Sequence, residues 1–294
     1  MSEDLSKYAK NVYSQFGEDG VIAEVLYRIS RGADIDKWCV EFGAWDGVHL
    51  SNTCRLIREE GYNAVLIEGA TKRFDELNIN LPQDNVYKIC RFVNFEGNDT
   101  LENILAETPI PRDFDFLSID VDGVDYYILD GLKKFTPKVV CIEFNPSIPN
   151  AVDFVQPKDF SIKQGASAKA ISRLAVNKGY ALVATTWCNL IFVRDDLVDL
   201  VVPSPLRLED LNVKGNDPQY IFVGYDGTIL SNKPEVRLIW HDISVPMSSI
   251  QFLPRALRVF GGDYSLYRKL AYHFYVFLKL PSKVMRHFLK RLHD

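Results

Sequence analysis

The sequence predicts a doubly wound α/β fold, in which a mostly parallel sheet is covered by helices on both faces. Strand-like and helix-like runs alternate from residue 20 to residue 195. The strand-like runs are continuously apolar, which is typical of strands that are buried on both faces. Short connections that contain glycine join these runs, as they do in folds built from alternating strands and helices.

The order of the elements follows from these runs. The last two strand-like runs are only a few residues apart, which is too short for a parallel crossover, so we predict an antiparallel hairpin at one sheet edge. The predicted strands are residues 38–42, 63–68, 86–93, 116–121, 139–144, 181–185 and 190–194. The predicted helices are residues 18–30, 50–60, 72–77, 101–106, 126–134 and 167–178.

A glycine-containing turn ends the first predicted strand. Residues 40–47 have an ExGxxxG spacing, which occurs where a strand turns into a helix. Glycine lets the backbone approach a ligand there, because a Cβ would collide or forbid the turn. An acid ends the second strand 21 residues after Gly47, where a carboxylate can hold a ribose diol. The predicted cofactor-binding residues are Glu41, Gly43, Ala44, Asp46, Gly47 and Glu68.

The chemistry of this turn favours a cationic nucleoside as the cofactor. The chain has neither the GxGxxG turn of dinucleotide sites nor the GxxxxGK[ST] phosphate loop. Glu41 and Asp46 would also repel a pyrophosphate. S-adenosylmethionine carries a sulfonium, an amine and a ribose but no phosphate, so we expect it to be the cofactor. The alternative is a structural turn beside an incidental surface glutamate.

These residues, with further motifs downstream, resemble the FkbM-type S-adenosylmethionine-dependent methyltransferases. The resemblance covers roughly residues 12–195 and extends to the order and spacing of the motifs. It implies a Rossmann-like seven-stranded methyltransferase sheet and O-methylation, often of sugars in glycans or natural products. The chain has Asp122 and Asp125 where the family usually has Glu, and Glu41 where it usually has Asp. The matching segments are residues 14–19, 40–47 with Ser51, 67–69, 100–105, 116–125 with Leu129 and Gly131, and 140–145.

Acidic and amide side chains follow the fourth and fifth predicted strands. Asp120 and Asp122 end the fourth strand, and Glu143 and Asn145 end the fifth. If the strand order reverses between the first and fourth strands, these side chains meet at one carboxyl edge beside Glu41. Methyl transfer needs a positioned acceptor hydroxyl and a group that takes its proton. Asp120, Asp122 and Glu143 are therefore the predicted catalytic residues, and Asp120 is also expected to contact the cofactor.

Two roles for these acids stay open. One is a carboxylate base, and the other is a site for Mg²⁺ or Mn²⁺ held by Asp120, Glu143 and Asn145, which all offer hard oxygen ligands. The Asp120-Val121-Asp122 segment also resembles the DxD motif of metal-dependent glycosyltransferases and of phosphatases that form an aspartyl phosphate. A metal-dependent glycosyl- or phosphotransferase is therefore one alternative function, and a non-catalytic subunit of a glycan-assembly complex is another.

Three further residues are predicted to contact the acceptor. His49 follows the glycine turn, and Gln164 and Asn189 resemble family positions near the acceptor cleft. The expected acceptor is a sugar hydroxyl of a surface glycan or of a lipid-linked glycan precursor.

Charge is divided unevenly along the chain of 294 residues. The net charge is -5, but residues 263–294 carry seven basic and two acidic side chains, which leaves -10 on residues 1–262. An acidic globule is unsuited to neutralising phosphates, so no nucleic-acid partner is expected. We predict a methyltransferase domain at residues 1–195, a cap on its substrate side at residues 196–262 and a basic amphipathic helical tail at residues 263–294.

The tail is predicted to hold the protein on a membrane surface. Basic, aromatic-rich amphipathic helices bind the anionic cytoplasmic face of membranes, so residues 264–294 are expected to do so. The alternatives are docking on the tail's own domain or in the interface of a homo-oligomer. The polar start and the five cysteines without a CxxC pair predict a cytoplasmic protein. The apolar positions are Leu266, Leu270, Phe274, Phe277 and Leu278 in a first helix, and Met285, Phe288, Leu289 and Leu292 in a second.

Overall fold

The computed structural model describes residues 3–210 and 219–280. The chain divides into two compact units, residues 1–217 and residues 218–294. The first unit continues past the predicted domain boundary at residue 195, because Val198 and Val201 are buried in the same apolar core as the first helix.

Helices and strands alternate through the first unit. The strands are β1 (Trp38–Phe42), β2 (Asn63–Ile67), β3 (Val86–Ile89), β4 (Phe116–Ile119), β5 (Val139–Glu143), β6 (Tyr180–Thr185) and β7 (Asn189–Arg194). The helices are α1 (Glu18–Ser30), α2 (Cys54–Glu60), α3 (Thr71–Asn80), α4 (Leu101–Ala106), α5 (Asp125–Gly131), α6 (Ala168–Asn177) and α7 (Val198–Val201).

The seven strands form one sheet in the order β3-β2-β1-β4-β5-β7-β6. Strands β1 to β5 pair in parallel, and β7 runs antiparallel to both β5 and β6. The predicted seven-stranded α/β sheet and its edge hairpin are therefore confirmed. The strand order reverses between β1 and β4, so a crevice opens beyond their carboxyl ends, where sheets of this kind bind ligands.

Apolar side chains of the central strands pack on both faces of the sheet. Val40 and Phe42 of β1 belong to the apolar core on one face, together with Leu117 of β4. Cys39 of β1 and Phe116 of β4 belong to the core on the other face. Successive residues of a strand point to opposite faces, so a strand that is covered on both sides is apolar at most positions. This explains the continuous apolar runs.

One predicted helix is wrong at its start. The sequence predicts a helix over residues 50–60, but α2 begins at Cys54. Leu50 has a left-handed φ of 58°, which interrupts a helix. The hydroxyls of Ser51 and Thr53 donate hydrogen bonds to the carboxylate of Glu41 in β1, and these bonds keep the segment in a loop.

The second unit contains two short antiparallel hairpins and a longer helix. Strand β8 (Ile221–Val223) pairs with β9 (Ile229–Ser231), and β10 (Glu235–Leu238) pairs with β11 (Ile243–Pro246). Helices α8 (Met247–Ile250) and α9 (Leu266–Lys279) follow. The first helix predicted in the tail is present as α9, whereas the second falls outside the described residues. Across residues 3–210 and 219–280, no helix combines the length and apolar character that crossing a membrane requires.

Candidate active site

The turn after β1 touches the backbone after β4. Gly43 has a left-handed φ of 71°, and a Cβ built on it would lie 2.3 Å from the carbonyl oxygen of Asp120. No side chain tolerates that distance, so glycine is required where the two loops meet. The amide of Ala44 donates to the carbonyl of Ile67 at 3.2 Å, which joins the same turn to the end of β2.

Glu41, a predicted cofactor ligand, lies behind this turn. Its carboxylate is buried and accepts hydrogen bonds from Ser51 Oγ at 2.6 Å, Thr53 Oγ1 at 2.7 Å and the Asn52 amide at 2.8 Å. Burial raises the pKa of Glu41, and these hydrogen bonds oppose that rise. Because the carboxylate is buried and both oxygens accept hydrogen bonds inside the protein, Glu41 positions the loop at residues 51–53, and its contact with the cofactor stays a prediction.

Asp46 and Gly47 shape the rest of the turn. Asp46 Oδ1 accepts the amide of His49 at 2.7 Å. Gly47 has a φ of 77°, and a Cβ there would lie 2.4 Å from Leu77 Cδ1. The side chain of His49 is exposed, and its ring lies edge-on to Trp45 with the centroids 5.8 Å apart. Asp46 and Gly47 therefore set the backbone path, and His49 presents its side chain to solvent.

Glu68 stands at the end of β2 beside the glycine turn. One carboxylate oxygen accepts the amide of Trp45 at 2.9 Å, and the other accepts the amide of Ala70 at 2.7 Å. The side chain is half-buried. A carboxylate oxygen has two lone pairs, so each oxygen of Glu68 can accept one more hydrogen bond. This is the capacity that the predicted ribose contact requires.

Sequence reasoning missed Phe92, which follows β3. Its ring lies against Gly69, where a Cβ would be 2.3 Å from Phe92 Cδ1, and its side chain is 75% exposed. An open aromatic face next to Glu68 is a surface on which a planar base can stack. The only signal in the sequence was an aromatic residue that the prediction placed inside a strand over residues 86–93.

The structure brings three of the predicted acids together at the carboxyl edge of the sheet. Asp120 and Asp122 follow β4, Glu143 ends β5, and carboxylate oxygens of the three lie within 4.8 Å of one another. Asp120 and Asp122 are exposed, and Glu143 is half-buried. Asp122 has a left-handed φ of 56°, and strained backbone of this kind clusters at functional sites.

Asp120 and Glu143 have carboxylate oxygens within 4.8 Å of each other. The surrounding protein raises the pKa of both groups, although Asp120 reaches solvent, and the neighbouring negative charges raise both further. Two acids this close disfavour each other's ionisation, so the pair takes up a proton more readily than two separate acids would.

Asp125 organises the loop that carries Asp122. Its carboxylate is buried and accepts the amides of Val121 and Gly123, both at 2.9 Å. Burial is the main cause that raises the pKa of Asp125, to about 6. The buried carboxylate thus supports the turn from within, while Asp122 stays on its outside.

Asn145, the third predicted metal ligand, uses its side chain inside a loop. Its amide oxygen accepts the backbone amide of Ser147 at 2.9 Å and the Ser147 hydroxyl at 2.6 Å, and its amide nitrogen donates to the carbonyl of Gln164 at 2.9 Å. Both lone pairs of the amide oxygen are therefore occupied. The structure offers Asp122, in place of Asn145, as the third oxygen donor beside the other two acids.

Asn189, predicted to bind the acceptor, is buried opposite Glu143 in the sheet. Its amide nitrogen donates to Glu18 Oε1 at 3.1 Å, and Thr186 Oγ1 donates to the same oxygen at 2.5 Å. The other oxygen of Glu18 accepts the amide of Phe16 at 2.7 Å. Asn189 and Glu18 therefore tie the segment before α1 to the turn between β6 and β7. Sequence reasoning assigned no role to Glu18, although it lies in one of the matching segments.

The loop at residues 155–166 packs on the acid-bearing turn. Gln156 is fully buried and accepts the amide of Gln164 at 2.9 Å, and a Cβ on Gly123 would lie 2.8 Å from its side-chain oxygen. The hydroxyl of Tyr127 donates to the carbonyl of Gln156 at 2.7 Å. The side chain of Gln164, a predicted acceptor contact, is exposed on this loop.

An aromatic cluster of Phe95, Tyr127 and Phe160 lies along the same loop. Phe160 stacks on Phe95 with the ring centroids 4.2 Å apart, and Phe95 meets Tyr127 edge-on at 5.7 Å. Lys158 Nζ lies 5.1 Å from the centre of the Phe95 ring. Phe160 is 42% exposed, so the cluster offers an open apolar surface with a cation at its side.

Residues 98–162 match the family model described as the methyltransferase FkbM domain. The matched segment contains Asp120, Asp122 and Glu143, and it confirms the resemblance that the sequence motifs predict. None of the curated proteins compared with the chain matches it.

Among the solved structures that resemble the chain, three illustrate the low sequence identity. A TehB-like S-adenosylmethionine-dependent methyltransferase from Corynebacterium glutamicum is 10% identical with a TM-score of 0.36, and the alignment covers 65% of this chain and 92% of that one. An amino pentose methyltransferase from Micromonospora echinaspora, involved in calicheamicin biosynthesis, is 11% identical with a TM-score of 0.37, covering 63% and 99%. TrmK from M. capricolum, in complex with S-adenosylhomocysteine, is 12% identical with a TM-score of 0.34, covering 57% and 65%.

The class of the protein follows from its fold and its site. A seven-stranded sheet with this strand order, a glycine turn after β1 and an acid after β2 supports an S-adenosylmethionine-dependent methyltransferase. Within that class, the match over residues 98–162 is to the FkbM type.

Proposed function

We propose that the chain is an S-adenosylmethionine-dependent O-methyltransferase that acts on a sugar hydroxyl of a surface glycan or of a lipid-linked glycan precursor. The observation that carries this proposal is the cluster of Asp120, Asp122 and Glu143, whose carboxylate oxygens lie within 4.8 Å of one another. The backbone of Asp120 contacts the glycine turn at Gly43, so a proton acceptor lies at the edge of the sheet where a methyl donor would bind.

Glu68, Phe92 and Gly43 would hold the cofactor. Glu68 has two acceptor sites for the ribose hydroxyls, and the exposed face of Phe92 suits stacking with adenine. The missing Cβ of Gly43 leaves backbone at the crevice between β1 and β4. Bound there, the cofactor supplies a methyl group activated by a sulfonium. The carboxylates of Asp120 and Asp122 at the same edge would favour that positive charge.

Asp120 would act as the general base. In the transfer that the cofactor would supply, the acceptor oxygen would bond to the methyl carbon as the carbon–sulfur bond breaks, and the hydroxyl proton would move to Asp120. Burial and the nearby charges of Asp125 and Asp122 keep the pKa of Asp120 raised. In-line positioning supplies most of the acceleration, and a proton acceptor adds about 10²–10⁴-fold.

The three acids would alternatively hold a divalent cation. Their oxygens lie within 4.8 Å of one another, and carboxylates are the ligands that Mg²⁺ and Mn²⁺ prefer. A cation there would polarise the acceptor hydroxyl. We favour the carboxylate base, because burial and mutual repulsion favour uptake of a proton by the pair of Asp120 and Glu143.

The aromatic cluster supports a sugar as the acceptor. Sugar rings have apolar C–H faces between polar edges, and aromatic side chains bind such faces while nearby polar groups fix the orientation. Phe160 offers an exposed ring, and Gln164 on the same loop offers an exposed amide. His49, exposed at the glycine turn, would contact the acceptor from the cofactor side.

Calorimetry with S-adenosylmethionine tests the cofactor. We expect saturable binding at one site in the wild type, and binding at least about tenfold weaker in Glu68→Gln, because hydrogen bonds to a carboxylate exceed those to an amide. Glu59→Gln, the same change on an exposed residue of α2, should bind like the wild type. Absence of binding by the folded wild-type protein would overturn the proposed function.

Transfer of a labelled methyl group to fractionated cell glycans tests the acceptor. We expect the label in a glycan fraction and expect it to resist alkali, because a methyl ether is stable where a methyl ester hydrolyses. Label that alkali releases contradicts a hydroxyl acceptor. Cofactor binding without transfer to any fraction contradicts the enzyme and favours the non-catalytic subunit.

A further inference from the structure

Helix α9 is attached to its unit by one side. Tyr272, Tyr275 and Val276 are its less exposed residues. The hydroxyl of Tyr275 donates to the carbonyl of Phe252 at 2.7 Å, and the two rings lie edge-on with their centroids 5.7 Å apart. Tyr272 contacts the ring of Tyr264 at 5.6 Å. The side that packs on the unit is therefore aromatic and hydrogen-bonded.

The other side of α9 is apolar and faces solvent. Leu266, Leu270, Phe274 and Phe277 are 71%, 61%, 65% and 53% exposed. They are spaced by four, four and three residues, so they form one stripe along the helix, which we call the apolar stripe. Contiguous exposed apolar surface marks an interaction site in a folded protein.

Charge identifies the kind of partner. Residues 264–293 contain seven basic residues and no acidic one. Two copies of this segment would repel each other, which disfavours self-association through the apolar stripe. A nucleic acid would use the cations but would leave the stripe in water. A lipid bilayer with anionic headgroups is the partner that uses both the apolar and the basic residues.

We propose that the apolar stripe of α9 inserts into the headgroup region of an anionic membrane, with Lys269, which lies one turn along the helix from Leu266, contacting lipid phosphates. The helix lies in the plane of the membrane surface and does not cross it. Interfacial helices of this kind bind through buried apolar area together with attraction to anionic lipids. The second unit therefore brings the chain to a membrane surface, independently of what the active site binds.

Flotation of the full chain with lipid vesicles tests this proposal. We expect the wild type to float with vesicles that contain phosphatidylglycerol, and at least about tenfold less with pure phosphatidylcholine, since anionic headgroups supply part of the attraction. High salt should release the protein, because salt screens exposed charges.

Polar substitution of the apolar stripe should abolish flotation. Leu270→Gln/Phe274→Gln removes two exposed apolar side chains and retains residues that helices tolerate, so we expect at least about a tenfold loss. Ile79→Gln/Val176→Gln removes two exposed apolar side chains from α3 and α6 and is the matched control, which should float like the wild type. The circular-dichroism spectrum and melting temperature of each variant report folding and are a separate readout from flotation.

Three results would overturn the proposal. One is undiminished flotation of Leu270→Gln/Phe274→Gln, and another is equal binding to neutral and anionic vesicles. The third is a wild-type dimer that becomes monomeric in this variant while neither protein floats, which would make a second copy the partner of the apolar stripe.

Discussion

Replacing Asp120 by asparagine is expected to lower the rate of methyl transfer about 10²–10⁴-fold while calorimetry still detects S-adenosylmethionine. Asparagine keeps the shape of the side chain but cannot take the acceptor proton. The measurement is labelled methyl transfer to the glycan fraction that the wild type modifies. Asp130→Asn removes an exposed carboxylate on α5, away from Asp120, and should keep the wild-type rate. An Asp120→Asn variant with wild-type turnover would contradict the base.

The same base predicts how the rate depends on pH. The surrounding protein and the neighbouring acids raise the pKa of Asp120 to about 7, so the rate should rise with pH through the neutral range as the carboxylate forms. Asp122→Asn removes a negative neighbour that raises this pKa, so the rising limb should move to lower pH. An unmoved limb, or one moved to higher pH, would show that Asp122 does not act on the base.

Chelation distinguishes the base from a metal site at the same acids. We expect EDTA to leave the rate unchanged, because uptake of a proton by the pair of Asp120 and Glu143 offsets their repulsion. If chelation abolishes the rate and Mg²⁺ or Mn²⁺ restores it, the acids hold a catalytic cation and Asp120 does not act as the base. In that case Asp122→Asn should abolish the rate, because it removes a ligand, and should not merely shift its pH dependence.

Gly43→Ala is expected to have the second large effect. The new Cβ would lie 2.3 Å from the carbonyl oxygen of Asp120, so the loops after β1 and β4 have to separate. A displacement of about 1 Å costs about 100-fold in rate when it misplaces reacting groups. We expect a loss of that size in methyl transfer, with cofactor binding by calorimetry at least about tenfold weaker.

Gly61→Ala is the matched control for this substitution. Gly61 has the same φ of 71°, and a Cβ there would meet no atom within 4 Å among the residues that the structure describes. Both substitutions place an alanine in left-handed backbone, which lowers stability by about 1–2 kcal/mol. Only Gly43→Ala also displaces the loop at the site. Equal cofactor affinity and equal rates in the two variants would contradict a role for the close approach.

The sheet could be predicted because its residues carry the information locally. A strand covered on both faces is apolar at most positions, and the runs of β1, β4 and β5 show this, with Glu41 and Ser118 as buried polar exceptions. The loop at residues 50–53 could not be predicted in the same way. Its conformation depends on hydrogen bonds to Glu41, and nothing in the loop sequence reveals where that carboxylate lies.

The sequence predicts which residues lie at the site better than it predicts what their side chains contact. Strand order places Gly43, Glu68 and Asp120 at one edge, because the carboxyl ends of parallel strands meet there. The direction of each side chain depends on partners that are distant in sequence or sit in loops. Asn145 therefore bonds within a loop, and Phe92 was hidden inside a predicted strand.

The sequence by itself determined the α/β sheet, the strand ends that carry glycine and acids, and the division between an acidic body and a basic tail. Hydrophobic period, glycine spacing and charge are local properties that can be read along one chain. Only the tertiary structure decided that carboxylate oxygens of Asp120, Asp122 and Glu143 lie within 4.8 Å of one another, and that Glu41 turns inward. It also decided that α9 turns its apolar stripe to solvent. These outcomes depend on packing between distant segments, since burial and neighbouring charges set both the pKa of an acid and the exposure of a helix face.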